Sequence, residues 1–68
     1  MIIEFKGVGV VEHLDTIKAE FIALGKYQQN TRSADCVAVD CSPDLNAAER
    51  QTMTNLGTTI GCDSVTFI

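Results

Sequence analysis

Between two short β-prone runs, Ile2–Phe5 (IIEF) and Cys36–Val39 (CVAV), apolar residues fall at Val10, Leu14, Ile17, Phe21 and Leu24. The steps alternate between four and three, the spacing of one face of an α-helix. Val11, Ala19, Ile22 and Ala23 widen the stripe, while Glu12, Glu20 and Lys26 take the polar side. Gly25 falls at the end of the pattern, so the helix is expected to fade between Gly25 and Gln29. Strand, helix and strand in that order constrain the fold more than any residue type does. Such a unit generally builds a parallel sheet through a right-handed crossover.

The second half repeats the grammar. CVAV is continuously apolar, as a buried central strand is. In VAVDCSPDLNAAE (Val37–Glu49), Ser42 is a good N-cap and Pro43 suits the first helical position, where its missing N–H costs nothing. Asp44 sits where the helix dipole favours an acid. Leu45, Ala48, Thr52, Met53 and Leu56 form a thin apolar stripe, and Gly57 is placed to stop the helix. SVTFI (Ser64–Ile68) reads as the third strand, and YQQNTRSAD (Tyr27–Asp35) as a polar, turn-rich connection.

The expected fold is therefore α/β, a small single domain over residues 1–68 with the order β-α-β-α-β. Its sheet would be three-stranded and mainly parallel, in order 1-2-3, with two helices packed on one face. Ile3, Phe5, Val37, Val39, Val65 and Phe67 would point at the helices. Glu4, Lys6, Cys36, Ala38, Thr66 and Ile68 would form a mixed, small-residued outer face. A competing arrangement makes Gly57–Ile60 and Ser64–Phe67 a hairpin around Gly61-Cys62-Asp63.

A chain of 68 residues has room for one core, and at this size only about 60% of the unfolded surface is buried, so stability is marginal. Three cysteines, Cys36, Cys41 and Cys62, include no C-x-x-C and leave one thiol over from any pairing. Reduced thiols in a cytosol are the simpler reading, which leaves self-association as the expected extra support. No run reaches the ~18 apolar residues of a membrane span. MIIEFKGVG carries an acid at Glu4 and lacks the basic start of a signal peptide. A soluble, cytoplasmic protein that binds no membrane is expected.

The net charge of −4 is unevenly placed. Residues 1–34 balance Glu4, Glu12, Asp15 and Glu20 against Lys6, Lys18, Lys26 and Arg32; residues 35–68 set Asp35, Asp40, Asp44, Glu49 and Asp63 against Arg50 alone. Nucleic-acid binding needs clustered cations to displace counterions from phosphates, and no such cluster exists. A charge of this size can serve simply to keep a small protein soluble; as a partner a basic protein fits better than a nucleic acid, met by Asp40, Asp44 and Glu49, with Tyr27 as the one aromatic placed outside the expected core.

Several residues are candidates for chemistry. In a parallel sheet, ligands collect beyond the carboxyl ends of the strands. Cys41 would lie there before a helix N-terminus, a position that can lower a thiol pKa. His13 would share that edge as a base, although Asp40 and Asp44 oppose a thiolate by charge repulsion. Gly7-x-Gly9 after a strand, together with Ser42, suits a weak ligand cradle, but Glu12 stands where a third glycine belongs and would repel a phosphate. His13, Cys36, Cys41 and Cys62 have the ligand types of a zinc site without its usual spacing. Asp40, Asp44 and Asp63 read as a solvated acidic rim. No metal or cofactor is expected. The chain reads as a non-catalytic interaction module acting as a homodimer, such as a small inhibitor, adaptor or assembly factor of the sort mobile elements carry. The alternative is a thiol-dependent enzyme or small-ligand-binding domain using Cys41.

Overall fold

The computed structural model describes every residue from Met1 to Ile68. Its elements are β1 (Ile2–Lys6), a 3₁₀ turn (Val10–His13), α1 (Leu14–Ala23), β2 (Tyr27–Ser33), β3 (Cys36–Cys41), α2 (Ala47–Ile60) and β4 (Ser64–Phe67). The four strands form one sheet in the order β2-β3-β1-β4. Every neighbouring pair is antiparallel. The three-stranded, mainly parallel sheet in order 1-2-3 is thus incorrect, and one segment accounts for the error.

That segment is Tyr27–Ser33, a strand rather than a connection. It forms the sheet's edge, so only one of its long sides is paired, and its side chains are exposed or half-buried. An edge strand of this kind needs no apolar alternation, and polar YQQNTRS supplies none. A two-residue turn at Ala34–Asp35 joins it to β3, with Ser33 opposite Cys36. α1 therefore crosses from β1 to β2, which run parallel with β3 inserted between them. The helix does join two parallel strands, but they are β1 and β2 rather than β1 and β3. The result is a split β-α-β arrangement.

Both helices lie on the sheet face that carries Ile3, Phe5, Val37, Val39 and Cys41, all fully buried. The register aligns Ile3 with Val39 and Phe5 with Val37, so two cross-strand apolar pairs form the floor of the core. Ile17 and Phe21 descend from α1, Met53 from α2, and Leu45 from the segment before α2. Phe5 and Phe21 meet edge to face at 6.3 Å and 88°, a favoured geometry for aromatic quadrupoles. Ile22, expected to widen the α1 stripe, is 54% exposed. Val65 and Phe67 of β4 are half-buried, and the Arg50 guanidinium stands 5.6 Å from the Phe67 ring centre.

The helix boundaries show which local signals win. α1 ends in a Schellman motif: Gly25 N–H donates to Ile22 O at 2.9 Å and Lys26 N–H to Phe21 O at 3.2 Å, with Gly25 at φ 71°. α2 does not begin at Ser42. Its cap is Asn46, in a capping box with Glu49: Glu49 N–H donates to Asn46 Oδ1 at 2.8 Å and Asn46 N–H to Glu49 Oε1 at 2.9 Å. Ser42, Pro43 and Asp44 lie in the connection ahead of it, and the Ser42–Pro43 peptide is cis. Nor does Gly57 stop the helix. The chain continues to Ile60 and closes on Gly61 at φ 81°, with Cys62 N–H donating to Gly57 O at 2.8 Å. The Gly57–Ile60 hairpin strand is likewise overturned, because those residues form the last turn of α2. Gly57 is buried for a packing reason: a Cβ there would stand 2.3 Å from Val65 Cγ2.

One ion pair ties the layers together. Lys26 Nζ, just past α1, donates to Glu49 Oε1 at 2.5 Å, with both side chains less than a fifth exposed. This bond, ahead of the capping bond from Asn46, holds the Glu49 carboxyl below its ordinary pKa. Glu49 thus serves the α2 cap and the α1–β2 junction together.

Candidate functional site

The helices cover one face of the sheet, and the other face is open. Strand alternation and the antiparallel register arrange that face as three rows across four strands. One end row is Gln29, Asp40, Ile2 and Ile68, the last joined to Ile2 by paired backbone bonds of 3.1 and 2.8 Å. The middle row is Thr31, Ala38, Glu4 and Thr66, and the far row is Ser33, Cys36, Lys6 and Ser64. Small or β-branched side chains dominate, so the surface is flat. Ile2 and Ile68 are its large apolar residues, 41% and 63% exposed. Its charges are Asp40 in the first row, Glu4 in the middle and Lys6 at the far end. Lys6 Nζ stands 3.6 Å from Glu4 Oε1 on the same strand. A shallow depression of about 80 Å³ lies over Ile2, Gln29, Thr31, Ala38 and Asp40. A wider, open cleft of about 530 Å³ lies beyond Lys6 and includes Gly7, Val8, Ser33 and Cys36.

The antiparallel sheet separates residues that a parallel one would have gathered. β3 runs against β1, so Cys41 lies at the Met1 end, where its N–H donates to Met1 O at 2.9 Å. His13 follows the opposite end of β1, across the length of the sheet. Cys41 faces the core and is fully buried. Burial pushes its thiol pKa up; the N-terminal ammonium pulls it down in part, while Asp44 and Asp40 raise it further. Cys36 lies half-buried on the open face, and Cys62, also half-buried, has its thiol pushed up by burial and by Asp63. No three His, Cys, Asp or Glu side chains gather as metal ligands would.

The glycine candidates have structural duties. A Cβ on Gly7 would stand 3.0 Å from Asp63 N and 3.2 Å from Cys62 Cα, and Gly9 adopts φ 79° at the entry to the 3₁₀ turn. Ser42 lies at the other end of the molecule, where its N–H donates to Lys26 O at 2.9 Å. Of the acidic candidates, Asp40 lies on the open face near Gln29 Nε2 at 3.4 Å, and exposed Asp44 accepts from the N-terminal ammonium at 3.3 Å. Glu49 is held by Lys26. Tyr27 is half-buried beneath Lys18 Nζ at 5.2 Å, with its hydroxyl donating to Asn30 Oδ1.

Gln29, Thr31 and Ser33 join the open face only through β2, which the polar sequence presents as a connection. Their alternating β-compatible positions before a two-residue turn were the available signal, but no apolar partner positions marked the period.

Thiol reactivity follows from this placement. With iodoacetamide at neutral pH, Cys36 is expected to alkylate first, and Cys41 only at the rate at which the fold opens, because a buried thiol of raised pKa offers little thiolate. Peptide mass mapping over time reads the order. Labelling of Cys41 as fast as a free thiol would contradict the buried assignment.

No helix is long and apolar enough to cross a membrane. Compared with protein-family models, curated proteins and solved structures, the chain matches none.

Proposed function

We propose that this chain is a small acidic, non-catalytic protein-interaction module whose contact surface is the open face of its sheet. The observation that supports this reading most is the shape and chemistry of that face: flat, small-residued, lightly charged, and rimmed by exposed Ile2 and Ile68. Flat faces of this kind suit another protein surface better than a small molecule, which binds best in a concave, largely enclosed site. Inhibitor, adaptor and assembly roles all work through such a surface. The acidic excess helps to select among partners, since charge complementarity governs encounter and discrimination more than raw affinity.

Ala38 lies in the middle row, and Ala38→Arg raises a long charged side chain from the centre of the face without touching the core. Cross-linked complexes captured from the native host with the wild-type chain should be lost with Ala38→Arg, while circular dichroism shows the fold retained. Recovery of the same partners by both proteins would overturn the reading.

A further inference from the structure

The open face carries a charge pattern that is complementary to itself. Glu4 and Lys6 stand two residues apart on central strand β1, both directed away from the helices, with their charged groups 3.6 Å apart. A twofold axis in the plane of a face-to-face contact, perpendicular to β1 and level with Phe5, exchanges the two positions. Lys6 of one copy then lies over the partner's Glu4, and Glu4 over the partner's Lys6. This is the isologous contact of a symmetric dimer, in which one patch serves both sides.

The surrounding residues agree with that axis. It sets Cys36 over the partner's Ala38, Ser33 over the partner's Thr31, and Ser64 over the partner's Thr66. These are small side chains, and they allow two sheets to approach closely. Packed sheets rotate by about 30° relative to one another, so this register holds best beside the pivot at Phe5 and loosens toward the edge strands. The same axis brings the row with Ile2 and Ile68 toward the partner's loop beyond Lys6, where Val8 is 87% exposed beside the open cleft. Three of the four exposed large apolar residues thus fall into one contact, Ile22 being the fourth. One element opposes it: Asp40 approaches the partner's Asp35 at the rim, where solvent and salt screen like charges.

We infer that the partner on the open face is a second copy of this chain, held about a twofold axis by reciprocal Glu4–Lys6 pairs and by Ile2 and Ile68 against Val8. The inference rests on the reading of the open face as the contact surface. Four strands spaced about 4.8 Å apart and roughly five residues long make a face of roughly 300 Å². Two such faces fall short of the ~1,000 Å² of a stable interface, so the dimer is weak and reversible.

Sedimentation equilibrium up to millimolar chain concentration tests it with surface variants that leave the core intact. Wild type is expected to dimerise in that range. Glu4→Lys alone and Lys6→Glu alone should each weaken self-association at least tenfold, because each copy then meets its own charge. The equimolar mixture of the two variants should associate at least as well as wild type, and the double variant E4K/K6E should recover it. A wild-type chain that stays monomeric, single variants that dimerise unchanged, or a mixture that does not associate would each overturn the twofold pairing. A monomer that still captures other proteins, lost with Ala38→Arg, leaves the interaction surface standing and replaces its occupant with a foreign partner.

Discussion

Phe21→Ala is expected to strip this chain of a large share of its stability. Phe21 is fully buried, anchors α1 to the sheet, and meets Phe5 edge to face. Truncating a buried phenylalanine to alanine costs about 3–5 kcal/mol, combining lost transfer energy with the cavity left behind. Domains hold roughly 0.05–0.15 kcal/mol per residue, so a chain of this length has on the order of 3–10 kcal/mol in all. The substitution consumes a large share of that, and the helix has only Ile17 as another fully buried residue. Urea titration followed by circular dichroism should show a lost or strongly shifted transition for Phe21→Ala. Phe21→Leu, which keeps most of the volume, should retain the fold. A Phe21→Ala midpoint matching wild type would show that α1 is not anchored through this ring.

Gly57→Ala should destabilise the fold, against the ordinary rule for helices. At an exposed helical position the exchange gains about 1 kcal/mol, because glycine has the poorer helix propensity. Here the added Cβ would meet Val65 Cγ2 at 2.3 Å, with Cys62 Cβ at 3.7 Å leaving little room to retreat. Overpacking of this kind costs about 1–3 kcal/mol, so a net loss is expected. The neighbouring site should compensate. In a double-mutant cycle, G57A/V65A should be more stable than the two single losses add up to, since contacting residues fail to be additive. Gly57→Ala that raises the melting temperature would show that α2 stands farther from β4 than described.

Much of the core was legible before the topology was. The spacing of Val10, Leu14, Ile17, Phe21 and Leu24 marks one helical face that runs from the 3₁₀ turn through α1 to its C-cap Leu24, and all five are buried or half-buried. Alternation likewise assigned Ile3, Phe5, Val37 and Val39 to the helix side, since a buried strand face constrains every second residue. Sheet direction was not legible, because it depends on whether Tyr27–Ser33 is a strand, and an edge strand exposed along much of its length leaves little hydrophobic signature. The start of α2 was misread for a different reason. Ser42-Pro43-Asp44 and Asn46-x-x-Glu49 both resemble helix starts, and the second wins because Asn46 and Glu49 satisfy two backbone donors reciprocally. The candidate site depended on topology most of all. Pairing Cys41 with His13 required one common edge, whereas reading the outer face required only strand alternation. Alternation alone therefore places Glu4, Lys6, Cys36, Ala38, Thr66 and Ile68 there, whereas Gln29, Thr31 and Ser33 join them only because β2 is a strand.

The placement of β1 in the sheet's interior also sets an order for assembly. The β2–β3 hairpin closes through a two-residue turn and can form early, from residues close together in the chain. β1, near one end, pairs on one side with β3 and on the other with β4, near the opposite end. Bringing such distant segments together costs loop-closure entropy before any contact rewards it. α2 is poorly suited to lead the process: Thr52, Thr54, Thr58 and Thr59 turn their hydroxyls back to carbonyls one turn earlier, and Gly57 lies in the helix interior. Such residues are weak helix formers. During synthesis, the β1–β4 ladder must wait until the SVTF segment has cleared the ribosome. Until then β1 keeps one unsatisfied edge, the kind of edge that invites pairing with another strand.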